Sequence, residues 1–166
     1  MDVDDDAWEA RLAAAWMTLD ESDAEAFRAR IDTLAAELPP RSPVALFERA
    51  SAWDSTGHPE RAVPHYREAL AGGLGGSRRR RAVIQLASSL RNLGHADESV
   101  ALLRGELARP SDALDDAVRA FLALALADTG EPREALSIAL AALAPHLPRY
   151  QRSLGNYAQD LVASDD

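Results

Sequence analysis

The sequence contains no cysteine and no lysine, and all 18 basic residues are arginine. Without cysteine, disulfides, thiolate nucleophiles and cysteine metal sites are excluded. Without lysine, Schiff-base chemistry, the attachment of pyridoxal phosphate and the lysine of a phosphate-binding loop are excluded as well. These two absences therefore remove several large classes of enzyme before any motif is considered.

Aromatic and β-branched residues are also scarce, and the chain is rich in Ala and Leu, a composition that favours helices over sheets. The net charge of -9 disfavours general affinity for nucleic acids or anionic membranes. No apolar run approaches the length of a membrane span, and the acidic N-terminal stretch has the wrong charge for a signal peptide. We therefore expect a cytoplasmic protein without nucleic-acid or membrane partners, whose 166 residues suffice for one domain.

Helical spacing is clearest between residues 83 and 107. Apolar residues recur three or four positions apart, as on one face of an amphipathic helix, at Val83, Leu86, Ala87, Leu90 and Leu93. Gly94 then ends this helix, because glycine enters the left-handed conformation without a Cβ penalty. Asp97 and Glu98 place negative charge where a second helix begins. The stretch predicts a helix, a tight turn and another helix.

The same reasoning predicts about nine helices and no strands, so the expected fold class is all-α. Start signals are Ser22 or Asp23, Ser42-Pro43, Pro59, Ser77, Glu131-Pro132 and Pro148, and Pro39-Pro40 ends the second helix. Pro64 lies past the first turn of its helix, so we expect a kink there. The glycine-rich stretch 72–76 is expected to be a flexible connector.

Three turn glycines, Gly57, Gly94 and Gly130, are spaced 37 and 36 residues apart. Residues at the same number of positions before each glycine are similar in size. Small residues stand seven positions earlier at Ala50, Ala87 and Ala123, and bulky ones four positions earlier at Trp53, Leu90 and Leu126. A period of this length is typical of stacked helical hairpins, each of which needs a neighbour to bury its apolar face.

The stretch Gly57-x-x-x-x-Ala62-x-x-x-Tyr66-x-x-Ala69-Leu70 resembles the second half of a tetratricopeptide repeat, although the more common period of that family is 34 residues. The resemblance covers residues 42–146 as three hairpins. It implies a single domain over residues 1–166, with a degenerate helix pair at 1–41 and a C-terminal capping helix at 147–163. The implied architecture is an α-solenoid of antiparallel hairpins with a right-handed superhelical twist. The tract 45–157 is also similar to a small bacterial subgroup of the family.

Members of this family are typically interaction modules in which the first helix of each pair lines a concave groove. The resemblance places ten partner-binding candidates there: Phe47, Glu48, Ser51, Asp54, Gln85, Ser88, Arg91, Asn92, Phe121 and Asp128. Serine hydroxyls and amides can pair with an extended peptide backbone. The alternative interpretation is that these positions are merely solvated helix faces. The lysine clamp that some members use for carboxylates is absent, so Arg91 and Asn92 are the candidates for holding an anionic peptide.

Other chemical patterns are weak. The run from Arg78 to Arg81 is either an anion site or a set of arginines that are paired within the molecule or simply solvated, and we expect the second. Asp2, Asp4 and Asp6 alternate as in a calcium loop, but the loop's glycine and bidentate glutamate are missing. The four histidines show no metal-binding motif, and no catalytic motif is present. We therefore expect no metal, no cofactor and no enzymatic activity.

The sequence thus predicts a non-catalytic scaffold that binds a peptide or a partner helix in the groove. The alternative is a self-associating structural protein, a homodimer that uses the groove or a terminal helix face. A buried carboxylate or histidine with a perturbed pKa in a deep pocket would instead favour an enzyme.

Overall fold

The computed structural model describes residues 3–163, with side chains from residue 6 onward, and every regular element in that range is helical. The helices are α1 Val3–Trp16, α2 Ala24–Ala35, α3 Pro43–Ser55, α4 Pro59–Ala71, α5 Gly76–Asn92, α6 Ala96–Leu107, α7 Asp115–Asp128, α8 Pro132–Leu143 and α9 Gln151–Ala163, with a 3₁₀ turn at Ala144–His146. Consecutive helices pack side by side as hairpins, such as α3 with α4 and α7 with α8. The all-α prediction is confirmed. Asp2 and the side chain of Asp4, which were considered for a calcium loop, lie outside the described part.

The chain forms two compact units, unit 1 at Met1–Ala82 and unit 2 at Val83–Asp166. In unit 1, apolar side chains of α1, α2 and α3 form one core that includes Trp8, Leu12, Phe27, Ile31 and Ala52. The Trp8 indole nitrogen donates a hydrogen bond to the Leu34 carbonyl at 2.9 Å, so this buried polar group is satisfied. The single-domain organisation expected for residues 1–166 stays a prediction.

In unit 2, the core is built from α5, α6, α7 and α8, with Ile84, Leu103, Val118, Leu122 and Leu126 at its centre. Helix α9 packs against α8. The Ser137 hydroxyl of α8 donates to the Ala158 carbonyl at 2.6 Å, and the Arg133 guanidinium donates to the Leu161 carbonyl. Because higher residue numbers on α8 meet lower numbers on α9, the two helices run antiparallel.

The three predicted turn glycines have the expected left-handed conformation, with φ of 82° at Gly57, 86° at Gly94 and 88° at Gly130. Each turn has the same two hydrogen bonds. At Gly94, the glycine N–H donates to the Arg91 carbonyl at 3.0 Å and the following N–H, of His95, donates to the Leu90 carbonyl at 2.9 Å. This is the Schellman arrangement, which satisfies carbonyls at a helix end. The period in the sequence therefore arises because the same turn occurs three times in the structure.

The expected connector at 72–76 contains a fourth turn of this type. Gly73 has φ of 86°, its N–H donates to the Leu70 carbonyl, and the Leu74 N–H donates to the Ala69 carbonyl. The Leu74 side chain is buried, as the hydrophobic residue after such a cap commonly is. Residues 72–75 thus connect two helices, as expected, but they include an ordered cap of α4 at Gly73, and α5 already begins at Gly76. The expected flexibility of the connector stays a prediction.

Two proline predictions have different outcomes. Helix α4 continues from Pro59 to Ala71 with Pro64 inside it, and the kink expected there stays a prediction. The last helix was expected to start at Pro148 but begins at Gln151. The reason is Tyr150, whose φ of 69° breaks the helical path and whose carbonyl accepts the first helical hydrogen bond, from Leu154.

Candidate functional site

The partner-binding candidates of unit 1 lie on α3, and three of them are enclosed. Phe47, Glu48 and Ser51 are 0%, 2% and 1% exposed. Asp54 is partly exposed, and its Oδ2 accepts a hydrogen bond from the Tyr66 hydroxyl at 3.3 Å. Side chains that are this deeply buried do not present a surface to a partner, so the open-groove position that the family resemblance implied for these three does not match the structure.

Glu48 is buried because it anchors an ion-pair network. Its Oε1 accepts a hydrogen bond from Arg78 Nε at 2.9 Å, and its Oε2 accepts one from the Trp16 indole at 3.0 Å. The same Arg78 donates two further hydrogen bonds to the carboxylate of Glu9, at 2.8 and 2.6 Å. The pKa of Arg78 is raised by its hydrogen bonds to the two carboxylates, more by those to Glu9 than by the one to Glu48. Intramolecular pairing within the arginine run is thus confirmed for Arg78.

A second polar group of unit 1 is also internal. The Tyr66 hydroxyl lies 3.4 Å from Ser51 Oγ and 3.3 Å from Asp54 Oδ2. Burial, followed by the nearby charge of Asp54, raises the pKa of Tyr66, so the phenol stays protonated and donates. Tyr66, whose pKa is raised, is thus a fully buried tyrosine, and its raised pKa does not support the alternative that the protein is an enzyme.

The candidates of unit 2 are more open. On α5, Gln85, Ser88 and Arg91 are partly exposed and Asn92 is exposed, while Ala87 and Leu90 between them are buried. This is the helical pattern that the sequence predicted for a surface stripe. On α7, Phe121 is partly buried against the unit 2 core.

The structure brings together two of these candidates, Arg91 and Asp128, which lie 37 residues apart. Arg91 Nε is 2.6 Å from Asp128 Oδ2, and their side chains remain 28% and 43% exposed. Within the described part of the chain, the Nε–H is not directed at any acceptor well enough to form a hydrogen bond. The contact is therefore an ion pair in which Arg91 Nε is buried, while the rest of the two side chains stays partly exposed.

Sequence reasoning missed a cluster in unit 1 around Trp53, which it treated as a packing residue. The guanidinium carbons of Arg28 and Arg61 each lie 4.6 Å from the centre of the indole ring, within cation–π range. Trp53 also lines a surface cavity of about 630 Å³, together with Arg49 and His65 among others. No local pattern signals this cluster, because its members come from α2, α3 and α4.

Across residues 3–163, no helix is long and apolar enough to cross a membrane. The same residues include no group of three or more histidine, aspartate or glutamate side chains placed to hold a metal ion.

Helical hairpins joined by equivalent glycine turns define this chain as a helical-repeat protein. Residues 43–161 match the family described as the tetratrico peptide repeat, which is most of the chain. The chain therefore belongs to the tetratricopeptide repeat family, whose fold commonly mediates protein–protein interaction. The family prediction is confirmed, whereas membership of the bacterial subgroup stays a prediction.

Two solved structures have a similar fold. Both are of a putative kinesin light chain from Podosopora anserina with nearly identical TPR-like repeats, one of them a Q17M variant. The variant is 17% identical to this chain and the other structure 19%, each with a TM-score of 0.68. The alignments cover 93% of this chain and 82% and 83% of the two structures. This likeness concerns the fold alone. No curated protein matches the sequence.

Proposed function

We propose that this chain is a non-catalytic, cytoplasmic interaction module that binds a peptide or a partner helix, and that the binding surface includes the exposed stripe of α5 in unit 2. The family supports the general function, because its members commonly bind other proteins. The observation that carries the proposed site is the Arg91–Asp128 ion pair, which is partly exposed and whose arginine directly precedes the exposed Asn92.

An exposed ion pair of this kind is suited to exchange. Surface pairs contribute little to stability, commonly less than about 1 kcal/mol, so exchanging Asp128 for another carboxylate costs little. The positive charge of Arg91 is also favourable where it stands, since it lies in the last turn of α5, at the negative end of the helix dipole. An acidic side chain or terminal carboxylate of a partner can therefore take the place of Asp128 beside Arg91.

The neighbouring polar groups provide recognition of a peptide backbone. Asn92 follows Arg91 directly, and Ser88 lies about one helical turn earlier on the same stripe. An amide and a hydroxyl both donate and accept, so they can pair with the N–H and carbonyl groups of an extended segment. Arginine is enriched among the residues that dominate binding energy at interfaces. The expected ligand is thus an acidic peptide segment.

The experiment that tests this proposal is affinity capture from a native cell extract, with the wild-type chain compared with an Arg91→Ala/Asn92→Ala variant. Captured proteins are then mapped to peptides, and their affinities are measured by fluorescence anisotropy. We expect the double variant to bind at least about tenfold more weakly, because truncation of a central interface residue costs more than about 1 kcal/mol. Arg109→Ala is the matched control, because it removes an exposed arginine from another part of unit 2. Unchanged affinity in the double variant would remove Arg91 and Asn92 from the site.

A further inference from the structure

The unit 2 end of the repeat array presents an apolar surface on α8. Leu136 and Leu143 are 49% and 47% exposed, and Leu140 between them is partly exposed. The 36-residue spacing of Gly94 and Gly130 makes Val100 and Leu107 of α6 the equivalents of Leu136 and Leu143. Those two residues pack against the unit 2 core. The face of α8 that repeats this pattern is therefore built to receive a helix.

Helix α9 does not fill this position. It contacts α8 through Ser137, whose hydroxyl bonds to the Ala158 carbonyl. The repeat equivalents of Ser137 are Ala101 in α6 and Pro64 in α4, and both are exposed to solvent. Helix α9 thus covers the side of α8 that other repeats leave open, and it leaves exposed the side that they cover.

Helices α7 and α9 extend the apolar surface on both sides of α8. On α7, Leu124 is 47% exposed, whereas its equivalent Ser51 in α3 is 1% exposed. On α9, Tyr157 is 65% exposed. It projects from the flank of α9 that adjoins the leucines of α8, as follows from the antiparallel packing and the handedness of the two helices. We call Leu124, Leu136, Leu140, Leu143 and Tyr157 the open end face.

We propose that the open end face binds a second copy of this chain, with the two α8 helices antiparallel across a two-fold axis. The exposed face of α8 carries Leu136, Leu140 and Leu143, which are spaced by four and three residues. An antiparallel copy related by a two-fold axis near Leu140 can therefore place Leu140 against Leu140 and Leu136 against Leu143. Such a self-complementary patch is what a two-fold symmetric interface requires.

The charges at the two ends of α8 favour the same arrangement. Glu131 lies at the N-terminal end of α8, and Arg149 follows its C-terminal end. An antiparallel copy brings Glu131 of each chain toward Arg149 of the other, whereas a parallel copy brings like charges together. The five residues of the open end face carry no charge in a chain with a net charge of -9. Apolar and aromatic side chains are also enriched at the centres of homodimer interfaces.

The proposal goes beyond the peptide-binding function and is tested separately, by sedimentation velocity of the full chain over a range of concentrations. We expect a monomer–dimer equilibrium, and Leu136→Glu and Tyr157→Glu each to raise the dissociation constant at least about tenfold, as truncation of interface anchors does. The matched control is Val162→Glu. Val162 is as exposed as Leu136, at 49%, but lies on the other flank of α9. Circular dichroism checks that each variant is folded. A wild-type chain that stays monomeric, or dimers that tolerate both substitutions, would overturn the proposal.

The orientation has its own test. Glu131→Arg and Arg149→Glu should each weaken the dimer, and the double variant should restore it, because the exchanged charges again face each other. The absence of cysteine also allows clean cross-linking. A mixture of Leu136→Cys and Leu143→Cys chains should form cross-linked dimers with a short bismaleimide, whereas each variant alone should not. Cross-linking of Leu136→Cys with itself, or failure of the double variant to restore the dimer, would refute the antiparallel arrangement.

Discussion

Replacing Arg78 should destabilise unit 1 much more than replacing either of its carboxylate partners. The Glu48 side chain is 2% exposed, and its two hydrogen bonds come from Arg78 and Trp16. Among the residues that the structure describes, Arg78 is the cation that contacts Glu48, so Arg78→Met leaves a buried carboxylate supported by the indole. Loss of one partner from a buried ion pair costs about 3–5 kcal/mol, because the remaining charge stays desolvated.

The two reciprocal substitutions should cost less. Glu48→Gln leaves Arg78 bonded to Glu9, so the loss is that of a hydrogen bond between charged groups, about 1–3 kcal/mol. Glu9 is 47% exposed, so Glu9→Gln should cost less than about 1 kcal/mol. The expected order of destabilisation is therefore Arg78→Met, then Glu48→Gln, then Glu9→Gln.

Urea denaturation followed by tryptophan fluorescence measures this order in unit 1. All three tryptophans, Trp8, Trp16 and Trp53, lie in that unit, so the signal does not report the unfolding of unit 2. A Glu48→Leu/Arg78→Met double variant provides the control, because removing both charges should recover much of the stability that Arg78→Met loses. A cost below about 1 kcal/mol for Arg78→Met, or no recovery in the double variant, would refute a buried-charge role for Glu48.

Three other predictions concern turns, packing and titration. Gly94→Ala should lower the free energy of unfolding by about 1–2 kcal/mol, because φ there is 86°, whereas Gly105→Ala, inside α6, should raise it by about 0.5–1 kcal/mol. Equal effects by urea denaturation would contradict this. Leu74→Ala should cost unit 1 about 2–5 kcal/mol, since Leu74 is buried, and an unchanged fluorescence midpoint would contradict that. The hydrogen bond from His146 lowers the pKa of Asp116, so the stabilisation is lost as pH falls through that lowered pKa. His146→Ala should raise the pKa of the Asp116 carboxyl, and an NMR titration of that carboxyl would measure the change.

The repeat turns were predictable because they depend on local chemistry. A left-handed residue at a helix end selects glycine, so Gly57, Gly94 and Gly130 mark the turns in the sequence itself. Helix starts are local as well, and the predicted caps Asp23 and Ser42 both accept hydrogen bonds from the first turn of their helices.

The partners of Glu48 were not predictable from the same rules. The family resemblance placed Glu48 on the groove side of α3, and a glutamate is usually exposed. Its actual environment depends on Arg78, thirty residues later, and on Trp16, thirty-two residues earlier. The start of α9 at Gln151 was likewise not predictable, because Tyr150 before it has a left-handed backbone, which is uncommon for a tyrosine.

One position of the repeat differs in exposure from one hairpin to the next. The residue six positions before each turn glycine is Ser51, then Ser88, then Leu124. Ser51 is 1% exposed, Ser88 is partly exposed, and Leu124 is 47% exposed. A small polar residue thus stands where the position is enclosed, and a large apolar residue stands where it is open. Burial would favour the opposite order, so the leucine at the open position is better explained by an intermolecular contact than by the stability of the isolated chain.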